Sequence, residues 1–314
     1  MKWMLSLGLA GLCCMAVHAA PVPVILDTDL GDDIDDTWAL CQALGDPRMD
    51  VKLIVTASHN TPLKARLVGK ILEKIGRTDI PLGIGKKTED AAINQAAWLG
   101  DYTLDKYPGK VHEDGVGAMI DLIRSQPAGH FKLCAIGPLP NLEEALKRAP
   151  DIAEKTDVTL MAGSVRIGYN GKATPDPEWN VVCNIPAARA VFAAPWKITI
   201  APLDVCGTLR LEGEEYLRVK NSGAPRARAV IENYDAWKNR GQYPADGSSV
   251  LFDTTAIELL VSDSLMAVET LNLAVDDKGM TVVDEAKGRP VRCAMGWKDE
   301  GAFKQALIGF LTRP

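Results

Sequence analysis

The sequence predicts an α/β protein built on a mostly parallel open sheet with helices on both faces. Short apolar runs of strand length alternate with segments in which apolar residues recur every three or four positions, from about residue 23 to residue 201. Strands that alternate with helices usually form a parallel sheet that is covered on both faces. The composition agrees, because 47% of the 314 residues are hydrophobic and 24% are charged, as in ordinary globular proteins.

The alternating part of the chain predicts six strands and five helices. The strands are predicted at 23–26, 51–56, 80–84, 131–136, 158–161 and 197–201. Helices are predicted between them, at 37–44, 67–75, 116–125, 141–149 and 186–193. The second helix has the clearest pattern, since Leu67, Ile71 and Ile75 share one face and Gly76 is a typical helix end.

Beyond Leu209 the pattern changes to added C-terminal helices and a small β-hairpin. The helices are predicted at 214–220, 226–240, 250–262 and 302–311. The hairpin joins strands at 271–275 and 281–283 through a turn of sequence DDKG. Because no repeat or low-complexity linker interrupts the chain, residues 20–314 are predicted to form a single domain.

Residues 1–19 predict a cleaved secretory signal peptide. Lys2 precedes an apolar run, and the run ends at Val17-His18-Ala19, which has small residues at the two positions that signal peptidase recognises. The run is shorter than the roughly 20 residues that span a bilayer, which disfavours a permanent anchor. The sequence therefore predicts an exported protein, periplasmic or secreted, with no membrane attachment after cleavage.

Charge and cysteine content narrow the class of partner. The net charge of −6 gives no basic footprint for a nucleic acid polymer, so a small-molecule partner is predicted. The cysteines that remain after cleavage have no CxxC spacing and predict neither a zinc site nor a disulfide framework. They are Cys41, Cys134, Cys183, Cys206 and Cys293.

Six aspartates occupy residues 27–36, directly after the first predicted strand. Ligands of open parallel sheets bind beyond the carboxyl ends of the strands. Two unit charges 4 Å apart repel by about 1 kcal/mol in water and about 4 kcal/mol at a surface-like dielectric, so converging carboxylates predict a bound cation. Helix capping is an alternative for Asp35 and Asp36, but it does not account for Asp27 and Asp29 at the strand end.

The residue types in this segment favour Ca²⁺ or Mg²⁺. No His or Cys lies among the aspartates, and oxygen-only sites suit these two hard cations. An EF-hand is excluded, because its loop needs Gly at the sixth place and Glu at the twelfth, where Asp32 and Trp38 stand.

The segment DTDLGDDIDDTWAL resembles the amino-terminal signature of the calcium-dependent nucleoside hydrolases, in a variant with two extra residues before the Asp-Asp pair. Further motifs follow in the family's order, namely SHN at 58–60, GPLPN at 137–141, LMAGS at 160–164, EWN at 178–180 and LFD at 251–253. The resemblance covers essentially the whole chain after the leader. It implies the nucleoside-hydrolase-like fold, Ca²⁺-dependent cleavage of a ribonucleoside into free base and ribose, and a homodimer or homotetramer.

The resemblance also implies a set of metal ligands. These are the carboxylates of Asp29, Asp36 and Asp253 and the backbone carbonyl of Pro140, with Asp27 as a neighbour that orients the cluster. Asp29 is further implied as the catalytic residue, which accepts a proton from the water that attacks the anomeric carbon.

Sugar-binding residues are implied in the same way. Asp35 is implied at the ribose 2′-hydroxyl, Glu178 and Asn180 on the 5′ and 3′ side, and Asn60 near the ribose and the metal. Asn170, from a glycine-rich loop, is a weaker match. Considered alone, Asn60 and Asn180 are equally typical of turns or helix caps.

Phe252 departs from the family pattern. Several members carry His at this position, where it is thought to protonate the leaving base. His59 and His112 are the remaining candidates for that acid, although each is also typical of a surface or packing histidine. Aromatic residues that could stack on a base are Tyr169, Trp179 and Tyr243.

Two other functions fit parts of the sequence. An apolar strand followed by Asp-x-Asp is also the signature of haloacid-dehalogenase-type Mg²⁺ phosphatases, in which Asp27 would be the nucleophile and Asp29 the acid. Gly31 stands where that class usually has Thr or Val. The absent histidine also leaves open an exported protein that binds nucleosides without cleaving them.

Overall fold

The computed structural model describes residues 20–313. The predicted signal peptide, residues 1–19, lies outside the described residues.

Within the described range ten strands form one sheet. They are β1 Val22–Thr28, β2 Met49–Thr56, β3 Leu82–Ile84, β4 Val111–His112, β5 Lys132–Ala135, β6 Asp157–Met161, β7 Ile198–Ala201, β8 Met266–Val275, β9 Thr281–Val283 and β10 Arg289–Trp297. Their order across the sheet is β4-β3-β2-β1-β5-β6-β7-β10-β8-β9. Every pair from β4 to β10 is parallel, and β8 pairs antiparallel with both β10 and β9. The predicted α/β class, mostly parallel, is confirmed.

The helices between and after these strands are α1 Asp35–Gly45, α2 Thr61–Ile75, α3 Ala96–Leu99, α4 Gly115–Arg124, α5 Pro140–Arg148, α6 Ile152–Lys155, α7 Trp179–Val182, α8 Ile185–Ala193, α9 Leu203–Cys206, α10 Glu214–Lys220, α11 Pro225–Asp235, α12 Phe252–Val261 and α13 Glu300–Thr312. Gly76 ends α2 as predicted, in the left-handed conformation with φ 75°. No helix in the described part of the chain combines the length and apolar character that crossing a bilayer requires.

Two predicted elements differ from the structure, and two observed strands were not predicted. The hairpin pairs as predicted, with Leu273 opposite Val283, but its first strand is longer and belongs to the main sheet through β10. The sequence analysis missed β10 and the two-residue β4. The helix predicted at 226–240 ends at Asp235, because the following chain turns away and the Lys238 N–H donates to the Asn94 carbonyl.

The sheet has a separate apolar core on each face. Neighbouring residues of β1 point to opposite faces, so Leu26 packs in one core and Ile25 in the other. Helices α1, α2, α11, α12 and α13 cover the face that contains Leu26, whereas α4, α5 and α8 cover the other. This arrangement leaves the carboxyl ends of the central strands free to form a site.

Candidate active site

A cavity of about 300 Å³ opens beyond the carboxyl ends of the central strands β1, β5 and β6. Acidic side chains dominate its wall: Asp29, Asp32, Asp33, Asp35, Asp36, Glu178 and Asp253. The rest of the lining consists of amide, aromatic and aliphatic side chains: Asn94, Asn180, Asn239, Tyr169, Trp179, Phe252, Ile136 and Met161.

A larger groove of about 760 Å³ lies beside α4 and shares no lining residue with the acidic cavity. Its charged side chains form ordinary surface ion pairs, such as Arg148 with Asp114 at 2.6 Å. The smaller acidic cavity is therefore the better candidate for chemistry.

Asp35, Asp36 and Asp253 form a compact buried cluster. The first two begin α1, and Asp253 lies in the first turn of α12, which packs against α1. One carboxylate oxygen from each lies within 4.8 Å of the others. Oxygens that bind one Ca²⁺ at 2.3–2.6 Å are at most about 5 Å apart, so this spacing fits a shared divalent ion.

Capping of α1 does not explain these aspartates. The cap position of α1 is Ile34, and no side chain of the described residues forms a cap hydrogen bond there. Asp36 instead accepts a hydrogen bond from the Thr28 hydroxyl, and Asp35 accepts one at 3.1 Å from the Asp253 N–H. Asp35 thus ties the start of α12 to the acidic loop.

The pKa values of the buried carboxylates are raised, because these groups lie away from water and close to one another. Burial raises the pKa of Asp29, Asp35 and Asp253 well above the usual value, and neighbouring carboxylates raise each further. Burial also raises the pKa of Asp36 to about 7. A bound cation would offset these charges and hold the cluster ionised.

Asp29 lies against the turn that follows β5. A Cβ atom added to Gly137 would be 2.5 Å from the Asp29 Oδ1 atom, so the absence of a side chain at Gly137 makes room for this carboxylate. Pro140, the implied carbonyl ligand, begins α5 in the same turn. Pro140 is not among the cavity-lining residues, and its ligand role stays a prediction.

Asp27 lies behind the cavity rather than in its wall. Asn141 Nδ2 donates to Asp27 Oδ2 at 2.7 Å and to the Thr56 carbonyl at 3.0 Å. The other carboxylate oxygen is buried and has no partner among the described residues. Burial raises the pKa of Asp27 to about 7. The role that the resemblance implies for Asp27, orienting the cluster, stays a prediction.

Sequence reasoning missed Lys64, which is fully buried beneath the acidic loop. Its Nζ atom lies 2.7 Å from Asp32 Oδ2 and donates to the Ala57 carbonyl at 3.1 Å. The signal was present, because Lys64 occupies the same helical face as Leu67 and Ile71 and is therefore predicted to point inward. A buried lysine needs a carboxylate partner, and Asp32 supplies it.

Neither histidine proposed from the sequence as an acid lines the cavity. His59 Nδ1 lies 2.7 Å from Asp32 Oδ2, and the His59 N–H donates to the Thr88 hydroxyl at 2.7 Å. These contacts hold Ser58 and His59 in the left-handed region, with φ of 59° and 49°. His112 lies in β4 and lines the other groove.

Besides Asp35, four polar residues are implied to contact the sugar. Two of them, Glu178 and Asn180, lie in the cavity wall. Glu178 caps α7, accepting from the Asn180 N–H at 2.8 Å, and it also accepts from the Gly163 N–H at 3.0 Å. Asn180 donates to the Met161 carbonyl at 3.1 Å. The amide and the carboxylate are therefore held rigidly at the end of β6.

Asn60 and Asn170 lie outside the lining. Asn60 accepts from the Leu63 N–H at 3.3 Å and caps α2, which is the alternative that the sequence left open. Asn170 adopts φ 56° and accepts from Arg210 at 3.4 Å. Their contacts with a sugar stay predictions.

Three aromatic side chains, Tyr169, Trp179 and Phe252, form an aromatic wall in the same cavity as the acidic cluster. Trp179 is 55% exposed, and its backbone N–H donates to the Tyr169 hydroxyl at 2.8 Å. The Tyr169 and Phe252 rings meet edge to face, with centroids 6.1 Å apart. Tyr243, also predicted to stack, instead packs on Trp237 with centroids 5.7 Å apart and does not line the cavity.

Comparison with known proteins identifies the family of this chain. The sequence profile of the family described as inosine-uridine preferring nucleoside hydrolase matches residues 24–305. The chain is 28% identical to the inosine-uridine preferring nucleoside hydrolase of Leishmania major over 292 residues, which are 87% of this chain and 91% of that protein. It is also 28% identical to a pyrimidine-specific ribonucleoside hydrolase of Photobacterium profundum over 279 residues, 83% of this chain and 88% of that protein.

Solved structures share the fold. A plant nucleoside hydrolase superposes with a TM-score of 0.79 at 23% identity, covering 94% of this chain and all of its own. A purine-preferring ribonucleoside hydrolase from Gardnerella vaginalis gives a TM-score of 0.76 at 24% identity, with 92% and 98% coverage. Fold, cavity and sequence together define an enzyme, an N-glycosidase. The chain belongs to the inosine-uridine preferring nucleoside hydrolase family.

Proposed function

We propose that this enzyme hydrolyses the N-glycosidic bond of a ribonucleoside with a bound Ca²⁺. One observation carries the proposal: carboxylate oxygens of Asp35, Asp36 and Asp253 lie within 4.8 Å of one another in a cavity at the carboxyl edge of a parallel sheet. The cavity volume of about 300 Å³ is at the lower end for small-molecule sites. It therefore suits one nucleoside.

The donor set fits a calcium ion. Asp36 and Asp253, two members of that cluster, would hold it together with Asp29 and the carbonyl of Pro140, which the family resemblance implies, while Asp35 would face the sugar. Ca²⁺ prefers oxygen ligands and has no need of His or Cys. When bound, the ion supplies a Lewis acid that orients the ribose 2′,3′-diol and lowers the pKa of a coordinated water.

Side chains of the cavity wall perform the remaining steps. Asp29, fixed against Gly137, is positioned to accept a proton from the attacking water. Asp35 accepts from the Asp253 N–H and lines the cavity, where its carboxylate would bind a sugar hydroxyl. Asn180 and Glu178, anchored by backbone contacts, bind the opposite side of the ribose. Rigid anchoring of this kind lowers the entropic cost of reaching the transition state.

Calcium-dependent release of ribose tests the proposal. Uridine, cytidine, inosine and adenosine are assayed for reducing sugar after dialysis against a chelator, and then with Ca²⁺ restored. We expect Ca²⁺ to recover cleavage, and Asp29→Ala to abolish it without unfolding the protein. Asp50→Asn is the matched control, because Asp50 pairs with Lys52 on the surface and should leave turnover unchanged. Cleavage that persists in chelator would contradict the metal's role.

The same assay separates the two alternatives. A binding protein would return the nucleoside intact after long incubation with Ca²⁺. A phosphatase would instead release inorganic phosphate from a ribonucleotide in the presence of Mg²⁺.

We also propose that the leader is removed and that the mature enzyme acts as a homodimer or homotetramer in the periplasm or outside the cell. Support comes from the signal-peptide pattern of residues 1–19 and from the family likeness. N-terminal sequencing of the protein from a cell fraction, followed by sedimentation analysis, tests both points. A mature chain that begins at Met1 would contradict export with cleavage.

A further inference from the structure

We propose that the preferred substrate is a riboside whose base carries a permanent positive charge on the glycosidic nitrogen, as in a quaternary pyridinium. This inference rests on the proposed function and names the substrate class of the same cavity. Three features of the cavity support it: its charge, its aromatic wall and its lack of a histidine.

The charge of the cavity favours a cationic ligand. Seven carboxyl side chains line it, and none of the described lining residues is Lys, Arg or His. Lys64 is close by, but its ammonium is engaged by Asp32. A divalent ion together with Lys64 carries three positive charges against seven acidic groups. Asp33, Asp35 and Glu178 are the lining acids that are neither implied metal ligands nor in a salt bridge among the described residues, and Asp33 is the one of these three without an implied sugar contact.

The aromatic wall can receive a flat cation. Tyr169, Trp179 and Phe252 line the cavity together, and Trp179 is exposed to an incoming ligand. A cation over an aromatic face gains about 0.5–2 kcal/mol, which is a factor of about 2 to 30 in affinity. A neutral base stacks on the same wall without this additional attraction.

The leaving group explains why the cavity can function with Phe252. In the hydrolysis of a neutral nucleoside, the base departs as an anion unless an acid protonates it. Phe252 cannot donate a proton, and His59 and His112 do not line the cavity. Burial raises the pKa of the Tyr169 hydroxyl, which makes it a weaker acid.

A cationic base removes the need for an acid. The water oxygen bonds to C1′, and the electron pair of the C1′–N bond returns to the ring nitrogen. The nitrogen thereby loses its positive charge and departs in a neutral base. The proton released by the water passes to Asp29 and then to solvent, so atoms and charges balance.

A competition assay isolates recognition from leaving-group chemistry. The Ca²⁺-loaded enzyme cleaves uridine in the presence of 1-methylnicotinamide, a permanent cation, or nicotinamide, its neutral counterpart. We expect the cation to inhibit at about tenfold lower concentration. Equal inhibition by the two compounds would overturn the proposal.

Direct turnover completes the test. The β-riboside of nicotinamide, corrected for spontaneous hydrolysis, should show a kcat/KM at least about tenfold above those of uridine and inosine. Asp33→Asn should raise KM for the cationic riboside more than for uridine. Phe252→His, which supplies a proton donor, should raise kcat for inosine relative to the cationic riboside.

The outcomes distinguish the two levels of inference. Uridine cleavage in Ca²⁺ with no preference for the cationic riboside would refute the substrate class and leave the proposed function standing. No cleavage of any riboside would refute both. Should Asp33→Asn fold poorly, the competition assay on the unaltered enzyme still decides.

Discussion

Replacing Lys64 with methionine removes a buried positive charge while keeping the apolar stem. The Lys64 side chain is 1% exposed, and its ammonium contacts both Asp32 Oδ2 at 2.7 Å and the Ala57 carbonyl at 3.1 Å. Breaking a buried ion pair by removing one partner costs about 3–5 kcal/mol. His59 still contacts Asp32 in the variant, so we expect the lower end, a loss of about 3 kcal/mol of unfolding free energy.

Urea unfolding in chelator measures this loss. Adding Asp32→Asn to Lys64→Met should recover part of the stability, since the double variant no longer buries an uncompensated carboxylate. Lys52→Met is the control, because Lys52 pairs with Asp50 on the surface and should change stability by less than about 1 kcal/mol.

Calcium should restore part of the unfolding free energy that the Lys64→Met variant loses. Lys64 lowers the pKa of Asp29 and Asp36 through its charge, so its field also opposes a cation bound to them. Ca²⁺ should therefore raise the unfolding free energy of Lys64→Met more than that of the unaltered protein. A loss of stability below about 1 kcal/mol, or an equal response to Ca²⁺, would refute this electrostatic account.

Three further predictions concern the cavity and the residues that support it. Burial raises the pKa of Glu178 to about 7 from the usual 4.5, so its contribution to stability is present below pH 4.5 and lost as pH rises through 7. Glu178→Gln should flatten that part of a stability-against-pH curve measured by urea unfolding, and an unchanged slope would contradict the assignment. Gly137→Ala would bring a Cβ within 2.5 Å of Asp29 Oδ1, and calorimetry should show weaker Ca²⁺ binding by a protein that keeps its circular dichroism spectrum. Asn141→Ala leaves Asp27 without its amide donor and should cost about 1–3 kcal/mol in thermal or urea unfolding, whereas a neutral result would show that Asp27 does not need it.

The alternating part of the fold was predictable because its signals are local. The strands β1, β2 and β5–β7 are short apolar runs, and the helices between them have regular apolar faces. Strand β10 was missed because Pro290 and Gly296 interrupt its pattern, and its place between β7 and β8 depends on pairing distant in sequence. Local periodicity does not carry that information.

The acidic half of the site was predictable for a similar reason. Asp29, Asp35 and Asp36 follow one strand, so the topology alone brings them to the edge of the sheet. Assigning Asp253 to the same site required the family resemblance, because its motif lies more than two hundred residues away in the sequence. The sequence analysis did not identify Lys64, although the apolar face of its helix was predicted, because a charged residue is usually assigned to the solvent side of a helix.

The central claim is tested most directly by a calcium titration in which both the heat of binding and the release of ribose are measured. Metal-free enzyme is titrated with Ca²⁺ in parallel with its Asp36→Asn variant, and cleavage of a riboside is measured at each point. The account predicts one ion per chain, half-maximal cleavage at the concentration of half-maximal binding, and loss of both in the variant. Full cleavage by the metal-free enzyme, or tight Ca²⁺ binding that leaves the rate unchanged, would contradict it.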